Sequence, residues 1–188
     1  MKKLIITLVI VLVSSPFFAQ SAFDKFDGKE EVISVVVNKK MFELMSKMKV
    51  DTSNKEMQEY MNLIKKLDNL QSYTSLDEGI RKEMKVTADK YIKTAGLEEL
   101  MRIKNEEGTT RIMVKSGAKE NQIKELLMII DGKAKGSIVD ARAKGASDEA
   151  TVLVSLTGDF DLNEISVLTD KMKIPGGEDL KKATKDKK

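Results

Sequence analysis

The spacing of apolar residues changes near residue 97, and this change divides the chain into a helix-rich first half and a strand-rich second half. Before residue 97, apolar side chains recur every three or four positions, which predicts amphipathic helices. After it, apolar residues form short runs, most of them joined by connections of hairpin length, which predicts antiparallel strands. The predicted helices of the first half span residues 39–48, 54–67 and 78–95, and the predicted strands of the second half span residues 97–104, 109–115, 122–130 and 150–157.

Two further strands and one further helix complete the pattern. The run Glu31–Val37 is rich in β-branched residues and apolar on both faces, so we predict a central strand of a sheet. Leu70–Thr74 is a shorter strand candidate, and residues 162–173 return to helical spacing. Gln122–Ile130 also fits a helix, but the Asp131–Gly132 turn and the neighbouring strands favour a strand. The predicted helix N-caps are Asn38, Ser53, Ser75 and Asp161, and Gly96 is the predicted left-handed helix end.

The order of these elements predicts an α+β domain. We expect a mostly antiparallel sheet of about five or six strands, with about four helices packed mainly on one face. Residues 23–174 are long enough to form a single domain with its own core. Within it, residues 132–148 are rich in Gly, Ala and Lys, which predicts a long mobile loop. Residues 175–188 are charged and poor in apolar side chains, which predicts a disordered tail.

The first 22 residues have the layout of a secretory signal. Lys2 and Lys3 give a positively charged start, and the apolar run Leu4–Val13 follows. This run is too short for a transmembrane helix, which needs about 20 residues. We therefore expect cleavage within residues 19–22 and export to the periplasm or the exterior, with no membrane span afterwards. An uncleaved membrane anchor is the alternative.

The composition excludes several kinds of chemistry. The chain contains no Cys and no His, so thiolate nucleophiles, Ser–His–Asp triads and the commonest zinc and haem ligands are absent. Aromatic residues make up 5% of the chain, too few to suggest a surface on which nucleic-acid bases stack. Without the two lysines of the signal, 31 basic residues stand against 30 acidic ones. This balance gives no electrostatic reason to expect nucleic acid or an anionic membrane as a partner.

No motif predicts a catalytic, cofactor or metal site. Asp159 and Asp161 have the spacing of a pair of hard-cation ligands, but Asp161 and Glu164 also have the spacing of a helix capping box, which we favour. The eleven Met residues fit core positions better than a soft-metal site. A hydrolase that uses carboxylates or a Ser–Lys pair stays open as the alternative function, because these residue types are abundant although no local signature supports them.

Several segments together resemble a known family. They are Val36–Phe42, Glu99–Lys104, Glu125–Ile130 and Val152–Leu162. With these segments the chain is similar to the exported family called Domain of Unknown Function 4252, whose hallmark corresponds to the passage Leu-Thr-Gly-Asp-Phe-Asp-Leu at residues 156–162. The resemblance extends over residues 22–174 and implies export and a small α+β domain, without an activity. Residues 132–148 depart from it, because the family implies a much shorter connection there.

The sequence favours a non-catalytic binding or accessory module of the cell envelope. If helices cover one face of the sheet, basic residues of the later strands would dominate the other face and would meet an acidic polymer or an envelope protein. The residues of this predicted basic face are Arg102, Lys104, Arg111, Lys115 and Lys124, interspersed with Glu99 and Glu125. The alternative is that these charges only keep sheet edges from pairing. No cofactor is implied.

Overall fold

A computed structural model of the chain describes residues 22–48, 55–119, 121–133, 149–161 and 164. Its helices are α1 (Lys39–Ser46), α2 (Lys55–Ile64) and α3 (Glu78–Ala95). Its strands are β1 (Val32–Asn38), β2 (Leu67–Ser75), β3 (Glu98–Asn105), β4 (Gly108–Ser116), β5 (Gln122–Lys133) and β6 (Glu149–Asp161). A single turn of 3₁₀ helix, Asp24–Phe26, precedes β1.

The strands form one sheet in the order β1-β2-β6-β5-β4-β3, and every neighbouring pair is antiparallel. The central strands are therefore β5 and β6, and β1 and β3 are the two edges. The strand conformation of Gln122–Ile130 is confirmed, since this segment lies inside β5. An antiparallel sheet accompanied by helices confirms the α+β class.

Helices pack on both faces of the sheet, so the prediction that they pack mainly on one face is wrong. Phe42 of α1 and Leu63 of α2 join Val154 in one core cluster. Tyr91 of α3 joins Leu153 in a second cluster. Because Leu153 and Val154 are consecutive residues of β6, their side chains point to opposite faces of the sheet. Both clusters are needed because β5 and β6 are apolar on both faces.

β1 lies at an edge of the sheet, although its sequence predicts a central strand. It pairs with β2 in an unbroken register from Val32 to Asn38. Within the described ranges, no strand pairs with its other side. A strand with apolar residues on both faces therefore has a backbone edge without a neighbour in this part of the chain.

The strands are longer than the sequence pattern predicts. β2 begins at Leu67, which the apolar spacing assigned to the preceding helix. β5 includes residues 132–133, which pair with β6, so the prediction that they belong to the loop 132–148 is wrong for these two residues. β6 continues through the Gly-Asp-Phe-Asp passage to Asp161. The backbone N–H of Asp159 donates to the carbonyl oxygen of Lys66 at 2.8 Å, which extends the pairing beyond the predicted strand end.

The helix ends follow side-chain and glycine signals. Asn38 caps α1 as predicted, because its side chain accepts the backbone N–H three residues further on at 3.1 Å. Ser75 does not cap α3; it is the last residue of β2, and Asp77 is the cap, accepting a backbone N–H at 2.8 Å. Gly96 ends α3 in the left-handed region with φ of 68°, as predicted.

Some predicted features lie outside the described residues. These are the signal up to residue 21, the cap Ser53, the loop from 134 to 148, most of the helix 162–173 and the tail 175–188. At the edge of the last gap, the Glu164 carboxylate accepts the backbone N–H of Asp161 at 3.0 Å, which is one of the two bonds of the predicted capping box. In the part of the chain that is described, no helix is long and apolar enough to cross a membrane.

Candidate interaction surface on the first strand and helix

Exposed apolar side chains are concentrated on β1 and α1. Of the six large apolar residues that are exposed in the described part of the chain, five lie between residues 35 and 48, and the sixth, Val86, is on α3. We call this group the β1–α1 surface; it extends around the β1 edge, because the consecutive residues Val35 and Val36 point to opposite faces of the sheet. It consists of Val35 (48% exposed), Val36 (45%), Met41 (51%), Leu44 (53%) and Met48 (65%). Clusters of exposed apolar residues mark interaction sites more often than single ones do.

The strand part of this surface lacks the features that normally protect a sheet edge. The sequence of β1, Val-Ile-Ser-Val-Val-Val-Asn, contains no charged residue and no Pro, and its pairing with β2 has no bulge. The opposite edge is different, because β3 contains Glu98, Arg102 and Lys104 and has a register shift between Glu99 and Met101. Among the residues that the structure describes, the β3 edge therefore has features that oppose strand addition, and the β1 edge has none of them.

The helix part of the surface is an apolar stripe that the core does not use. Phe42 is buried, and Met45 is partly buried against the same core cluster. Met41 and Leu44 are spaced three residues apart and form a separate exposed stripe beside these two, and Met48 follows two residues after the end of α1. Phe42 and Met45 therefore attach α1 to the sheet, and this stripe stays exposed.

Opposite charges flank β1. Glu30 and Glu31 precede the strand and are exposed, and Lys39 and Lys40 follow it at the start of α1. Lys39 contacts Asp68 at 2.8 Å, and the hydrogen bond and charge of that carboxylate raise the lysine pKa. The lysine side chains are 68% and 72% exposed, so both remain accessible to a second partner. β1 thus has an acidic start and a basic end.

A buried ionic cluster fixes α3 to the other face of the sheet. Arg81 of α3 is buried and contacts Asp131 of β5 at 3.3 Å and Glu149 of β6 at 2.7 Å. Asp131 also accepts hydrogen bonds from Lys85 at 2.8 Å and from the Thr151 hydroxyl at 2.6 Å. Burial acts to raise the pKa of Asp131, but these hydrogen bonds and the nearby positive charges outweigh it and lower the pKa. The cluster therefore joins three elements of the fold.

Glu125 is a buried carboxyl group beneath α3. Its residue is 4% exposed, and the Tyr91 hydroxyl donates to its Oε2 at 2.9 Å. Its Oε1 has no hydrogen-bond partner among the described residues. Burial raises the pKa of Glu125, although the hydrogen bond from Tyr91 and the charge of Lys115 act in the opposite direction. The hydrogen bond from Tyr91 to this carboxyl joins α3 to β5.

Replacing Glu125 by Gln is expected to stabilise the protein near neutral pH, with the gain disappearing in mild acid. The pKa of Glu125 is higher in the folded than in the unfolded protein. The stability that this carboxyl contributes is therefore present below its ordinary pKa of 4.5, and it is lost as the pH rises through the folded pKa. Each unit of such a shift corresponds to about 1.4 kcal/mol. The amide keeps an oxygen for Tyr91 without a charge to bury.

Urea unfolding across this pH range measures the effect, with the exposed Glu98→Gln as the control. Equal pH slopes for E125Q and the unmodified protein would contradict the assignment.

Three of the five residues of the predicted basic face are paired with acidic side chains. Arg102 and Arg111 are opposite each other in β3 and β4, on the face that α3 covers. Arg102 contacts Glu99 at 2.5 Å, and Arg111 contacts Asp89 of α3 at 2.7 Å and Glu99 at 3.6 Å. Lys124, the last of the predicted residues, contacts an aspartate at 3.0 Å. These three basic side chains are neutralised within the protein, whereas Lys104 and Lys115 are exposed.

The aspartates of the hallmark passage have structural contacts. Asp159 contacts Lys124 at 3.0 Å and accepts a short hydrogen bond from Gln122, and these two contacts lower its pKa. Asp161 ends β6 and is bound through its backbone to Glu164. Within the described ranges, no group of three or more acidic side chains is arranged to hold a metal ion.

Comparison with known proteins identifies a family for this chain. The family model described as "Domain of unknown function (DUF4252)" matches residues 26–168. The chain belongs to the DUF4252 family. Comparisons with curated proteins and with solved structures return no match. The resemblance derived from the sequence segments is thereby confirmed.

The β1–α1 surface lies entirely inside the matched DUF4252 region. The sequence pattern does not predict this surface, because a strand that is apolar on both faces indicates a central position in the sheet. The available signal was the combination of that strand with a helix whose apolar residues Met41, Leu44 and Met48 exceed those needed for one buried stripe. Neither pattern alone distinguishes an interface from a core.

Proposed function

We propose that this DUF4252 protein is a non-catalytic binding module of the cell envelope, which acts by docking another protein on the β1–α1 surface. The observation that carries the proposal is the edge position of β1. A strand whose sequence is suited to the interior of a sheet has an edge without a neighbour among the described residues. Strand addition to such an edge is a common mode of protein recognition, in which backbone hydrogen bonds give affinity and side-chain pockets give specificity.

Export is supported by the amino-terminal sequence. The positive start, the short apolar run and the following small residues fit a secretory signal. The absence of Cys leaves the chain without thiols that an oxidising compartment would convert to disulfides. Fractionation of cells that produce the full chain tests this part. The proposal requires the protein in the envelope or the medium, and retention in the cytoplasm would contradict it.

The contacts of the ionisable groups support a role without catalysis. Arg81 and Asp131 are committed to each other and to holding α3 on the sheet. Glu125 is the buried carboxyl with a raised pKa, and its bound partner is the hydroxyl of Tyr91. An active site needs such groups to converge on a space that a substrate can enter. In this protein they bridge packed elements.

Site-specific photo-crosslinking in living cells tests the docking surface. A photoreactive amino acid is introduced at Val36 or at Leu44, with Val86 as the matched control because it is also exposed and apolar but lies on α3. The proposal predicts a discrete protein adduct from the first two positions and none from the third. No adduct at Val36 and Leu44, or equal adducts at all three positions, would contradict a specific docking surface.

A further inference from the structure

We infer that the protein docked on the β1–α1 surface is a second copy of the same chain, with the two β1 strands paired antiparallel about a two-fold axis. This inference rests on the proposed docking function of that surface and names its partner. A two-fold interface uses the same patch on both copies, so the patch has to be complementary to itself. β1 meets this condition in its backbone, its side chains and its charges.

The outward backbone groups of β1 can be assigned from one hydrogen bond. The N–H of Val32 donates to the carbonyl oxygen of Lys29 at 3.1 Å and is therefore not used by β2. In an antiparallel strand, the backbone N–H and C=O groups of successive residues point alternately toward the two neighbouring strands. Ser34 and Val36, like Val32, therefore direct these groups away from β2. Pairing Ser34 of each copy with Val36 of the other uses these four N–H groups and four carbonyl groups in four hydrogen bonds.

This register also matches the charges that flank the strand. When Ser34 is opposite Val36, the two-fold axis passes beside Val35, and each Val35 faces its counterpart. Glu31 of one copy then lies at the level of Lys39 of the other. The acidic start of each strand meets the basic end of its partner, and a shift by two residues in either direction would lose this match.

The same arrangement covers the exposed apolar side chains. A two-fold axis perpendicular to the sheet keeps corresponding faces on the same side, so the α1 helices of both copies lie on one side of the joined sheet. The exposed residues Met41 and Leu44 of α1 then lie on the same side of the joined sheet as the facing pair of Val35 residues. Val36 is covered on the opposite face. The inferred contact thus removes apolar side chains of β1 from water and brings the exposed side of α1 in both copies to the same side of the joined sheet.

The first experiment measures the mass of the purified exported chain in solution by sedimentation equilibrium. We expect twice the chain mass at micromolar concentration. Val36→Lys is expected to raise the dissociation constant at least about tenfold, because edge lysines oppose strand pairing. Val86→Lys, the control on α3, is expected to leave the dimer intact. A monomer, or a dimer equally unaffected by both substitutions, would overturn the inference.

The second experiment tests the register without relying on a charged substitution. The chain has no Cys, so Val35→Cys creates one thiol per copy. Facing residues in a non-hydrogen-bonded pair have Cα atoms about 4.5 Å apart, which a disulfide can bridge. We expect V35C to form a covalent dimer under mild oxidation and V86C to remain monomeric on denaturing gels. Equal cross-linking of both variants would overturn the register.

A charge reversal separates this dimer from other partners. Glu31→Lys and Lys39→Glu are each expected to weaken the dimer, and the double variant is expected to restore it. Failure of the double variant to recover would contradict the pairing of these two residues. If the protein is monomeric but Val36 cross-links to a different envelope protein, the second-copy inference fails and the docking function stands. If it is monomeric and no adduct forms at Val36, both fail.

Discussion

Replacing Asp131 by Ala is expected to lower the free energy of unfolding by about 3 kcal/mol, since removal of one partner from a buried ion pair leaves the other charge uncompensated. The charge left behind is that of Arg81, whose side chain is 7% exposed. The loss falls at the lower end of the usual range because Arg81 keeps its contact with Glu149 at 2.7 Å. Urea denaturation at neutral pH followed by circular dichroism measures this change.

Glu149→Ala is the matched control for this cluster. Its carboxylate binds the same arginine but is 60% exposed, so its removal is expected to cost under about 1 kcal/mol.

The pH dependence of the free energy of unfolding gives a second comparison between D131A and the unmodified protein. The pKa of Asp131 is lowered in the folded protein, so the stability that this group contributes is present above its ordinary value of 3.8 and is lost as the pH falls through the folded value. The difference in the free energy of unfolding between D131A and the unmodified protein is therefore expected to become smaller in acid. Equal losses for the two alanine variants would show that burial does not decide the effect.

The sequence predicts most of the secondary structure because apolar spacing reports local geometry directly. The stripe of α3 and its glycine end at Gly96 are observed where the pattern indicates them. The cap of the same helix is not, because Ser75 and Asp77 are both suitable residue types two positions apart. The choice is made by the sheet, since Ser75 pairs with both β1 and β6 and cannot leave the strand.

The arrangement of the elements is harder to predict. An apolar pattern shows that one face of a strand or helix is buried, but it does not show which other element buries that face. Val152–Leu156 in β6 is apolar on both faces, which in this fold reflects helices on both sides of a central strand. Val35–Val37 has the same character at an edge, where the described part of the chain offers no second neighbour. The ion pair between Arg111 and Asp89 likewise requires knowledge of where α3 lies. For this reason the sequence predicts a basic face whose arginines are paired in the structure, and it does not predict the β1–α1 surface.

Replacing Phe42 by Ala is expected to cost about 3–5 kcal/mol, the range typical for truncation of a large buried aromatic side chain. Phe42 is 1% exposed and attaches α1 to the core cluster that contains Leu63 and Val154. Leu44→Ala on the same helix is the control, since that side chain is 53% exposed and its loss is expected to change monomer stability by less than about 0.5 kcal/mol.

The two variants distinguish the inner side of α1 from its outer side. Measured in the V36K background, where association is weakened, urea unfolding should separate the free energies of unfolding of F42A and L44A by several kcal/mol. Measured in the otherwise unmodified chain by sedimentation, L44A should weaken self-association while leaving the monomer folded. Similar stability losses for both variants would mean that the stripe of Met41 and Leu44 belongs to the core. If L44A keeps the stability of the monomer but associates more weakly, the stripe belongs to the interface. A side chain that contributes little to the folding of one chain can weaken association only through its contacts with a second molecule.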